Sequence, residues 1–345
     1  MKKILAFALI LCMALTMVAC GAKEAEYKLG MGVVVKMDSS KTGNAQVDAT
    51  VATVVTDANG KIVLCRIDVA QNKMNVTDGA VDTALTFKTK MELGDDYNMA
   101  KYGKPNVEGG TVKEWYEQTK AFEAYVVGKT AAEVKAIETK EVNAHQIAVD
   151  EALLNAGCTM QITEFKDAVV KACEDAQGMS FKAVAGTFTL GVAAITTVDS
   201  STKAATADAE GAANMYTDIA CAVVSEGKVI ATLNDAIQPK IAINAAGECT
   251  PAEFKGTKRE LKEGYNMAAF GQPNVEGGTV KEWYIQSKAF SDYVVGKTAD
   301  EIAGMKTKEV NNHQISVEDA LLNAGCTMQI TGICAVVSQS AKNAR

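Results

Sequence analysis

The sequence predicts an α+β protein built from two tandem homologous domains, each an antiparallel β-sheet or hairpin unit packed with several helices, after an N-terminal signal segment. The first observation is a repeat: residues 97–163 and 265–331 align at a constant offset of 168, with 50 identities in 67 positions. The second is a change of hydrophobic period within each copy, from two in the front part to about 3.6 in the back part. Strands followed by helices that cover one sheet are typical of the α+β class.

The first residues of the chain have the layout of a secretory signal. Lys2 and Lys3 form a positive n-region, and residues 4–17 form an apolar h-region of the usual length. This run is too short to stay in a bilayer as a stable spanning helix. We therefore expect residues 1–19 to be a signal peptide that is absent from the mature protein.

The end of this segment resembles the lipobox of bacterial lipoproteins. Met17-Val18-Ala19-Cys20-Gly21 has small residues before a cysteine and a glycine after it, with methionine where leucine is usual. The resemblance implies that Cys20 is diacylated and becomes the mature N-terminus, followed by a short tether over 20–26. Two or three acyl chains anchor a protein durably. A lipid-anchored protein on the extracytoplasmic face of the cell membrane is expected; an ordinary signal peptide with an incidental cysteine is the alternative.

The charge balance argues against nucleic acid as a partner. The formal net charge is −7, and loss of the two lysines of the signal lowers it to −9. An acidic surface opposes binding to nucleic acid and direct adhesion to anionic headgroups. Membrane attachment is therefore expected through the N-terminal lipid.

Cysteine usage indicates a reducing environment. Seven cysteines follow Cys20, an odd number, and none forms a C-x-x-C pair or a Cys/His cluster with zinc spacing. An exported protein with unpaired thiols fits an anaerobic habitat better than a disulfide scaffold.

The repeat divides the chain into two units of common domain size. Domain 1 is expected over 27–177 and domain 2 over 186–340, with a junction over 178–185. The front of each unit favours strands. Alternation from Val47 to Val55, an Asn-Gly turn and a return over 62–69 predict a β-hairpin.

The back of each unit favours helices and one strand. A helical face runs from Val112 to Val126 and ends at Gly128, and Thr130-Ala131-Ala132-Glu133 has the form of a capping box. A short helix over 149–155, a strand over 159–162 and a final helix capped by Thr163 are expected next.

Several motifs are candidate binding sites. "VVGKT" (126–130 and 294–298) lacks the first glycine of a phosphate-binding loop, so a helix end and a cap explain it. Two Gly-Gly-Thr stretches precede helices whose free amides could bind an anion. The chain's two tryptophans follow them and are either core residues or aromatic walls of a site. The residues concerned are Gly109, Gly110, Thr111, Trp115, Gly277, Gly278, Thr279 and Trp283.

The histidines are poor metal candidates. His145 and His313 are the only two in the chain and occupy one repeat position. Each lacks a second histidine or cysteine at ligand spacing, and one histidine per unit does not assemble a catalytic triad. A surface or helix-entry position is the expected role.

The hairpin over 45–73 and "KEWYEQTKAFEAYVVGKT" (113–130) resemble FMN-binding-type domains of cell-envelope lipoproteins from Gram-positive anaerobes. Some members of that family hold flavin mononucleotide (FMN) through a phosphoester to the threonine of an Asp-x-x-Ser-Gly-Ala-Thr pattern and carry electrons outside the membrane. "DYVVGKT" (292–298) and "NAGCT" (155–159) keep parts of that pattern. The resemblance implies flavin anchors at Thr159 and Thr327, or at Thr130 and Thr298.

Two functional hypotheses follow from the sequence. The first is a membrane-anchored, flavin-binding electron-transfer module with redox partners in the envelope. The second is a non-redox envelope lipoprotein that binds a ligand, or has a structural role, without a cofactor. An enzyme is not expected, because no set of acid, base and nucleophile is visibly assembled.

Overall fold

The computed structural model describes residues 23–204 and 209–345. The expected signal peptide over 1–19 and the expected lipidation site at Cys20 lie outside these ranges. Within them the chain has a mixed α+β fold with antiparallel sheets, which confirms the predicted class.

The strands occur as hairpins and short extensions along the chain. In chain order they are β1 (Ala25–Lys36), β2 (Asn44–Thr56), β3 (Ile62–Thr77), β4 (Ala80–Val81), β5 (Thr139–Val142), β6 (His145–Ala148), β7 (Met179–Ala183), β8 (Thr189–Thr197), β9 (Gly211–Asn214), β10 (Tyr216–Ser225), β11 (Lys228–Ile237), β12 (Lys240–Ile243), β13 (Cys249–Pro251), β14 (Thr307–Val310) and β15 (His313–Ser316).

The helices fall into two series of the same order, and paired helices differ in length by at most one residue. The first series is α1 (Lys90–Leu93), α2 (Met99–Tyr102), α3 (Trp115–Val126), α4 (Ala131–Lys135), α5 (Glu151–Asn155) and α6 (Thr163–Cys173). The second is α7 (Lys258–Leu261), α8 (Met267–Phe270), α9 (Trp283–Val294), α10 (Ala299–Ala303), α11 (Asp319–Ala324) and α12 (Thr331–Lys342). Each helix of the second series begins 168 residues after its counterpart, the offset of the sequence repeat.

The first sheet has the strand order β4-β3-β2-β1-β7. Its central hairpin confirms the predicted turn: the Asp57 carboxylate accepts hydrogen bonds from the N–H groups of Asn59 and Lys61, and Gly60 has a φ of 71°. Strand β7 lies in the stretch expected to be a junction. It pairs with β1 from Ala25 onwards, so the connection between the halves also completes the first sheet.

The second half contains a sheet of order β11-β10-β8 and a smaller one of order β13-β12-β9. The long strand β3 of the first half corresponds here to two strands, β11 and β12, with Gln238 and Pro239 between them. Proline has no N–H to donate to a strand partner, so the ladder is interrupted at this point.

Alternating side chains place the two sheets face to face. One side of β1, β2, β8, β10 and β11 contributes to a shared core. The opposite sides of the sheets pack against the helices, with α3, α4 and α6 on the first and α9, α10 and α12 on the second. The result is a four-layer arrangement of helices, sheet, sheet and helices. The largest wholly buried side chains of the two helix-covered cores include Phe122 and Phe290.

The back part of each half corrects two sequence predictions. The capping box at Thr130 is confirmed. Thr163 does not cap the final helix as expected, because it is the first residue of α6 and Ile162 is the N-cap. The strand expected over 159–162 is wrong, because side chains take both backbone groups of Thr159: Gln118 accepts from its N–H, and Asn106 donates to its carbonyl. The hairpin β5–β6 was not predicted.

Candidate ligand-binding site

A cavity of about 480 Å³ lies in the first half, between the sheet and the helices. Ligand sites in proteins are typically clefts of roughly 300–1,000 Å³. Strands β1, β2 and β3, the segment from α1 to α3, and the start of α6 each contribute side chains. The wall consists of Lys36, Asp38, Ser39, Asp48, Thr50, Val69, Gln71, Lys90, Tyr97, Met99, Trp115, Ala144, His145, Met160, Gln161, Glu164 and Phe165.

Lys90 is placed in this cavity by the first turn of α1. Thr89 caps the helix, and the carboxylate of Asp68 on β3 accepts the N–H of Met91 at 3.0 Å, which fixes the turn to the sheet. The Lys90 ammonium lies 4.9 Å from the ring centroid of Tyr97 and 5.6 Å from that of Trp115. These are cation–π distances. Within residues 23–204 and 209–345, Lys90 makes no ion pair.

Asp48 on β2 faces the same cavity. Its Oδ2 accepts a hydrogen bond from Gln46 at 2.7 Å, whereas its Oδ1 is buried and has no hydrogen-bond partner in the described part of the chain. Nearby, Lys36 is paired with Glu164, and this hydrogen bond raises the pKa of the lysine. The cavity therefore holds one neutralised pair, an unpaired lysine and a half-satisfied carboxylate.

The second half places different side chains at the equivalent positions. At the repeat offset of 168 residues, Tyr216 corresponds to Asp48 and Asp218 corresponds to Thr50. Lys258, the counterpart of Lys90, donates to the Tyr216 hydroxyl at 3.1 Å and is only 6% exposed. Its ammonium lies 4.6 Å from the Tyr216 ring centroid. The lysine is thus enclosed by the protein's own side chains.

A carboxylate completes this enclosed arrangement. Burial raises the pKa of Asp218 to about 6 and lowers the pKa of Lys258 to about 8, while the two opposite charges partly offset both effects. The carboxylate of Asp218 lies against the backbone of Gly332, where a Cβ atom would overlap it. The first half has Glu164 at that position of the repeat.

The predicted tryptophan positions lie in the cores. Trp115 and Trp283 are 3% and 4% exposed. The Trp115 ring packs edge-to-face with Phe165, with centroids 5.8 Å apart, and the residue also lines the cavity beside Lys90. Trp115 therefore reports on the cavity, but its ring faces are occupied.

The Gly-Gly-Thr stretches do not present free helix amides to solvent. Gly109 and Gly110 form an exposed turn, closed by a hydrogen bond from Gly110 to the carbonyl of Val107, and Thr111 is separated from α3 by three residues. The helix start is acidic instead: Glu117 accepts the N–H of Glu114. A carboxylate at this position opposes an incoming anion.

The second copy has the same turn, but Ile285 replaces Glu117, so the first turn of α9 has no carboxylate. Gly277, Gly278 and Thr279 form the equivalent turn, with Gly278 donating to Val275. The Glu282 carboxylate accepts the N–H groups that start α8.

The candidate threonines have structural partners. Thr130 and Thr298 are N-caps, and each has a glutamate carboxylate in its capping box. The Thr130 hydroxyl donates to Glu133 at 2.9 Å. Thr159 and Thr327 are half-buried, and each hydroxyl lies 3.4 Å from a glutamine side-chain oxygen, that of Gln118 or its repeat counterpart.

The cysteines next to Thr159 and Thr327 are not activated as nucleophiles. Cys158 and Cys326 are fully buried, and burial raises the pKa of both thiols to about 12. The thiolate is the reactive form, so neither is a nucleophile at neutral pH. His145 and His313 are exposed at the starts of β6 and β15. In the described ranges, no three His, Cys, Asp or Glu side chains converge to hold a metal ion.

Other cavities lie along the seam between the halves. One of about 450 Å³ is lined by residues such as Arg66, Tyr116 and Lys120, and another of about 520 Å³ by Asn234 and Ser287 among others. Polar side chains of the second cavity satisfy one another, since the Ser287 hydroxyl donates to Asn234 at 2.8 Å. The Lys90 cavity is distinguished by a lysine and an aspartate, Lys90 and Asp48, that make no ion pair in the described part of the chain.

Sequence reasoning missed Lys90, Asp48 and Tyr97. The repeat contained the signal, because the lysine and the tyrosine recur as Lys258 and Tyr265 while the aspartate does not recur. Their convergence depends on the pairing of β2 with β3 and on the packing of α1, neither of which shows in the local pattern.

Asp68, which holds the turn carrying Lys90, leads to a prediction on pH. Burial raises the pKa of this carboxyl to about 7 in the folded protein, against about 3.9 in an unfolded chain. Between these values the folded state binds more protons, so the free energy of unfolding falls as pH rises from about 4 to 7. Asp68→Asn keeps the acceptor for Met91 and should flatten this decline. Urea titrations at several pH values measure it, and an unchanged slope in the variant would contradict the assignment.

No known protein family, curated protein sequence or solved structure matches this chain. Among the described residues, no helix has the length and apolar character needed to span a membrane.

Proposed function

We propose that this protein is a lipid-anchored, extracytoplasmic ligand-binding protein made of two homologous domains, in which the first binds a small polar ligand in the Lys90 cavity. The observation that carries the proposal is the contrast between the halves. In the second half the equivalent Lys258 donates to the Tyr216 hydroxyl and has the charge of Asp218 nearby. In the first half Lys90 faces a cavity, together with the Asp48 carboxylate, and neither makes an ion pair within the described ranges.

The position of the expected anchor supports this function. Cys20 precedes the first residue of β1, Ala25, by five residues, which span at most about 18 Å. Strand β1 then runs for 12 residues, roughly 40 Å, to Lys36 at the cavity. A lipid at Cys20 would hold the start of β1 near the bilayer and leave the cavity at the opposite end, open to the outside.

The residues around the candidate threonines do not suit covalent FMN. A phosphoester at Thr130 or Thr298 would place a dianion beside the capping glutamate and remove the cap. Thr159 and Thr327 are half-buried beside a glutamine oxygen, with both backbone groups of Thr159 in use.

Non-covalent FMN suits the Lys90 cavity little better. Its wall carries three carboxylates and two lysines, one of them paired with Glu164, so it has no surplus of cations to balance a phosphate dianion. Trp115 is buried against Phe165 and has no open face for an isoalloxazine ring. The ligand-binding function therefore takes precedence over the electron carrier.

The test uses tryptophan fluorescence and thermal stability. In Trp283→Phe, Trp115 is the only tryptophan, so its emission reports on the cavity. The purified mature protein is screened with the L-amino acids, monosaccharides, nucleosides and short carboxylic acids. A ligand present at 100 times its Kd should stabilise the fold by about 2.7 kcal/mol. We expect at least one class both to raise Tm and to change the Trp115 emission.

Asp48→Tyr provides the matched variant, because it installs the residue found at the same position of the second half. It should fill the cavity, lower affinity by at least about tenfold and leave Tm without ligand nearly unchanged. Binding that survives Asp48→Tyr would overturn the proposed site. A yellow protein with the added mass of a flavin would overturn the proposed function.

A further inference from the structure

We infer that the Lys90 cavity selects a small zwitterion, a ligand with one anionic group and one ammonium group, of which α-amino acids are the simplest class. This inference rests on the proposed function and names the chemistry of its ligand. It follows from three properties of the cavity in the described structure: a lysine without an ion pair, a carboxylate without an ion pair and a nearly balanced charge.

The anionic group is assigned to Lys90. In the second half, the counterpart Lys258 has the Asp218 carboxylate as a counter-charge from within the protein. At the position of Asp218 the first half has Thr50, which carries no charge. The lysine is still present as Lys90, with a tyrosine and a tryptophan beside it. A ligand carboxylate at Lys90 would restore the arrangement that the second half builds from its own side chains.

The ammonium group is assigned to Asp48. Charge-assisted hydrogen bonds from an ammonium to a carboxylate are among the strongest in proteins. The Asp48 carboxylate lines the cavity and accepts one hydrogen bond, from Gln46 to Oδ2, so it can accept another from the ligand. Lys90 and Asp48 line one cavity without forming an ion pair with each other, which leaves each of them available to the ligand.

The total charge of the wall selects against ligands with a large net charge. Lys36 and Glu164 neutralise each other, and Lys90 and Asp48 offset each other at a distance, which leaves Asp38 at the rim. A ligand with no net charge therefore costs the least to desolvate. The side chain of such a ligand would meet the apolar part of the wall, formed by Met99, Met160 and Phe165.

The experiment compares one ligand with its two singly blocked forms. Trp283→Phe protein is titrated with each L-amino acid, and the tightest binder is retested as its carboxamide and as its N-acetyl derivative. Each blocked form should bind at least about tenfold more weakly. Lys90→Gln should abolish the preference for the acid over the amide, and Asp48→Asn should abolish the preference for the free amine over the N-acetyl form.

The outcomes separate this inference from the proposed function. Binding of a sugar or nucleoside that Asp48→Tyr blocks, with no amino acid bound, would overturn the zwitterion and leave ligand binding standing. An amino acid whose blocked forms bind equally well would also overturn it. If no probe binds, both proposals fail. Lys258→Gln is the control variant, because it changes the equivalent lysine of the enclosed second half and should leave the affinity of the first unchanged.

Discussion

Gly30→Val is expected to destabilise the protein by about 3 kcal/mol or more, because β1 has no room for a side chain at this position. A Cβ atom at Gly30 would overlap the carbonyl oxygen of Ala172 in α6, and one at Gly32 would overlap that of Ala168. Both glycines have ordinary extended backbone, so the effect comes from packing and not from backbone strain. The helix would have to move away from the sheet, which opens the core around Phe165 and Val169.

The repeat supplies a second copy of this contact and a control. Gly191 on β8 meets the carbonyl of Ser340 in α12 in the same way, so Gly191→Val should cost a similar amount. Gly264 has open space around its Cβ position and no positive φ, and Gly264→Ala should change stability by less than about 0.5 kcal/mol. Urea denaturation followed by circular dichroism measures all three. A Gly30→Val protein as stable as the parent would show that α6 does not lie on β1 as described.

Elements that depend on neighbouring residues were predicted correctly from the sequence, whereas an element that depends on distant residues was not. The Asn-Gly hairpin and the Thr130 cap rest on residues within five positions of one another, and both were predicted. The strand expected at Thr159 failed because side chains 41 and 53 residues away take its backbone groups. A local alternation pattern carries no information about those partners.

The candidate site was less predictable for the same reason. The motif-like stretches at Gly109 and at Thr130 have local roles as a turn and a cap. The Lys90 cavity gathers residues from β1 to α6, and its chemistry depends on two replacements between the copies, Asp48 for Tyr216 and Thr50 for Asp218. Those replacements fall in the front part of the repeat, where the two copies have diverged. The sequence alone does not tell which of the changed residues face a cavity.

The shared core explains how the two halves could diverge in this way. Side chains of both sheets, including Leu29 and Ile219, pack into one cluster, so each half covers an apolar face of the other. The outer faces and their helices are then free to differ. The first half has a cavity at Lys90, and the second half encloses the equivalent Lys258 with its own side chains.

Glu123→Ala should cost about 3–5 kcal/mol, because it leaves charged partners without their counter-charge. Glu123 on α3 is 3% exposed, and its carboxylate accepts the N–H of Ile67 at 2.8 Å and the guanidinium of Arg345 at 3.0 Å. Arg66 lies 3.8 Å away and donates to the carbonyl of Arg345. Burial raises the pKa of Glu123, and both arginines oppose that shift, so the carboxylate and its partners depend on one another.

This cluster also joins the halves, since Arg345 follows α12 while Glu123 belongs to α3. Glu123→Gln keeps an acceptor for Ile67 but removes the charge, so it should lose less stability than Glu123→Ala. The counterpart in the second half is Ser291, which accepts from Asn234 at 2.9 Å, and Ser291→Ala should cost only about 1 kcal/mol. If Glu123→Ala and Ser291→Ala are equally mild in urea denaturation, the cluster does not stabilise the seam. A large cost confined to Glu123 would show that the charge cluster stabilises the seam, whereas the equivalent hydrogen bond of Ser291 to Asn234 acts only within the second half.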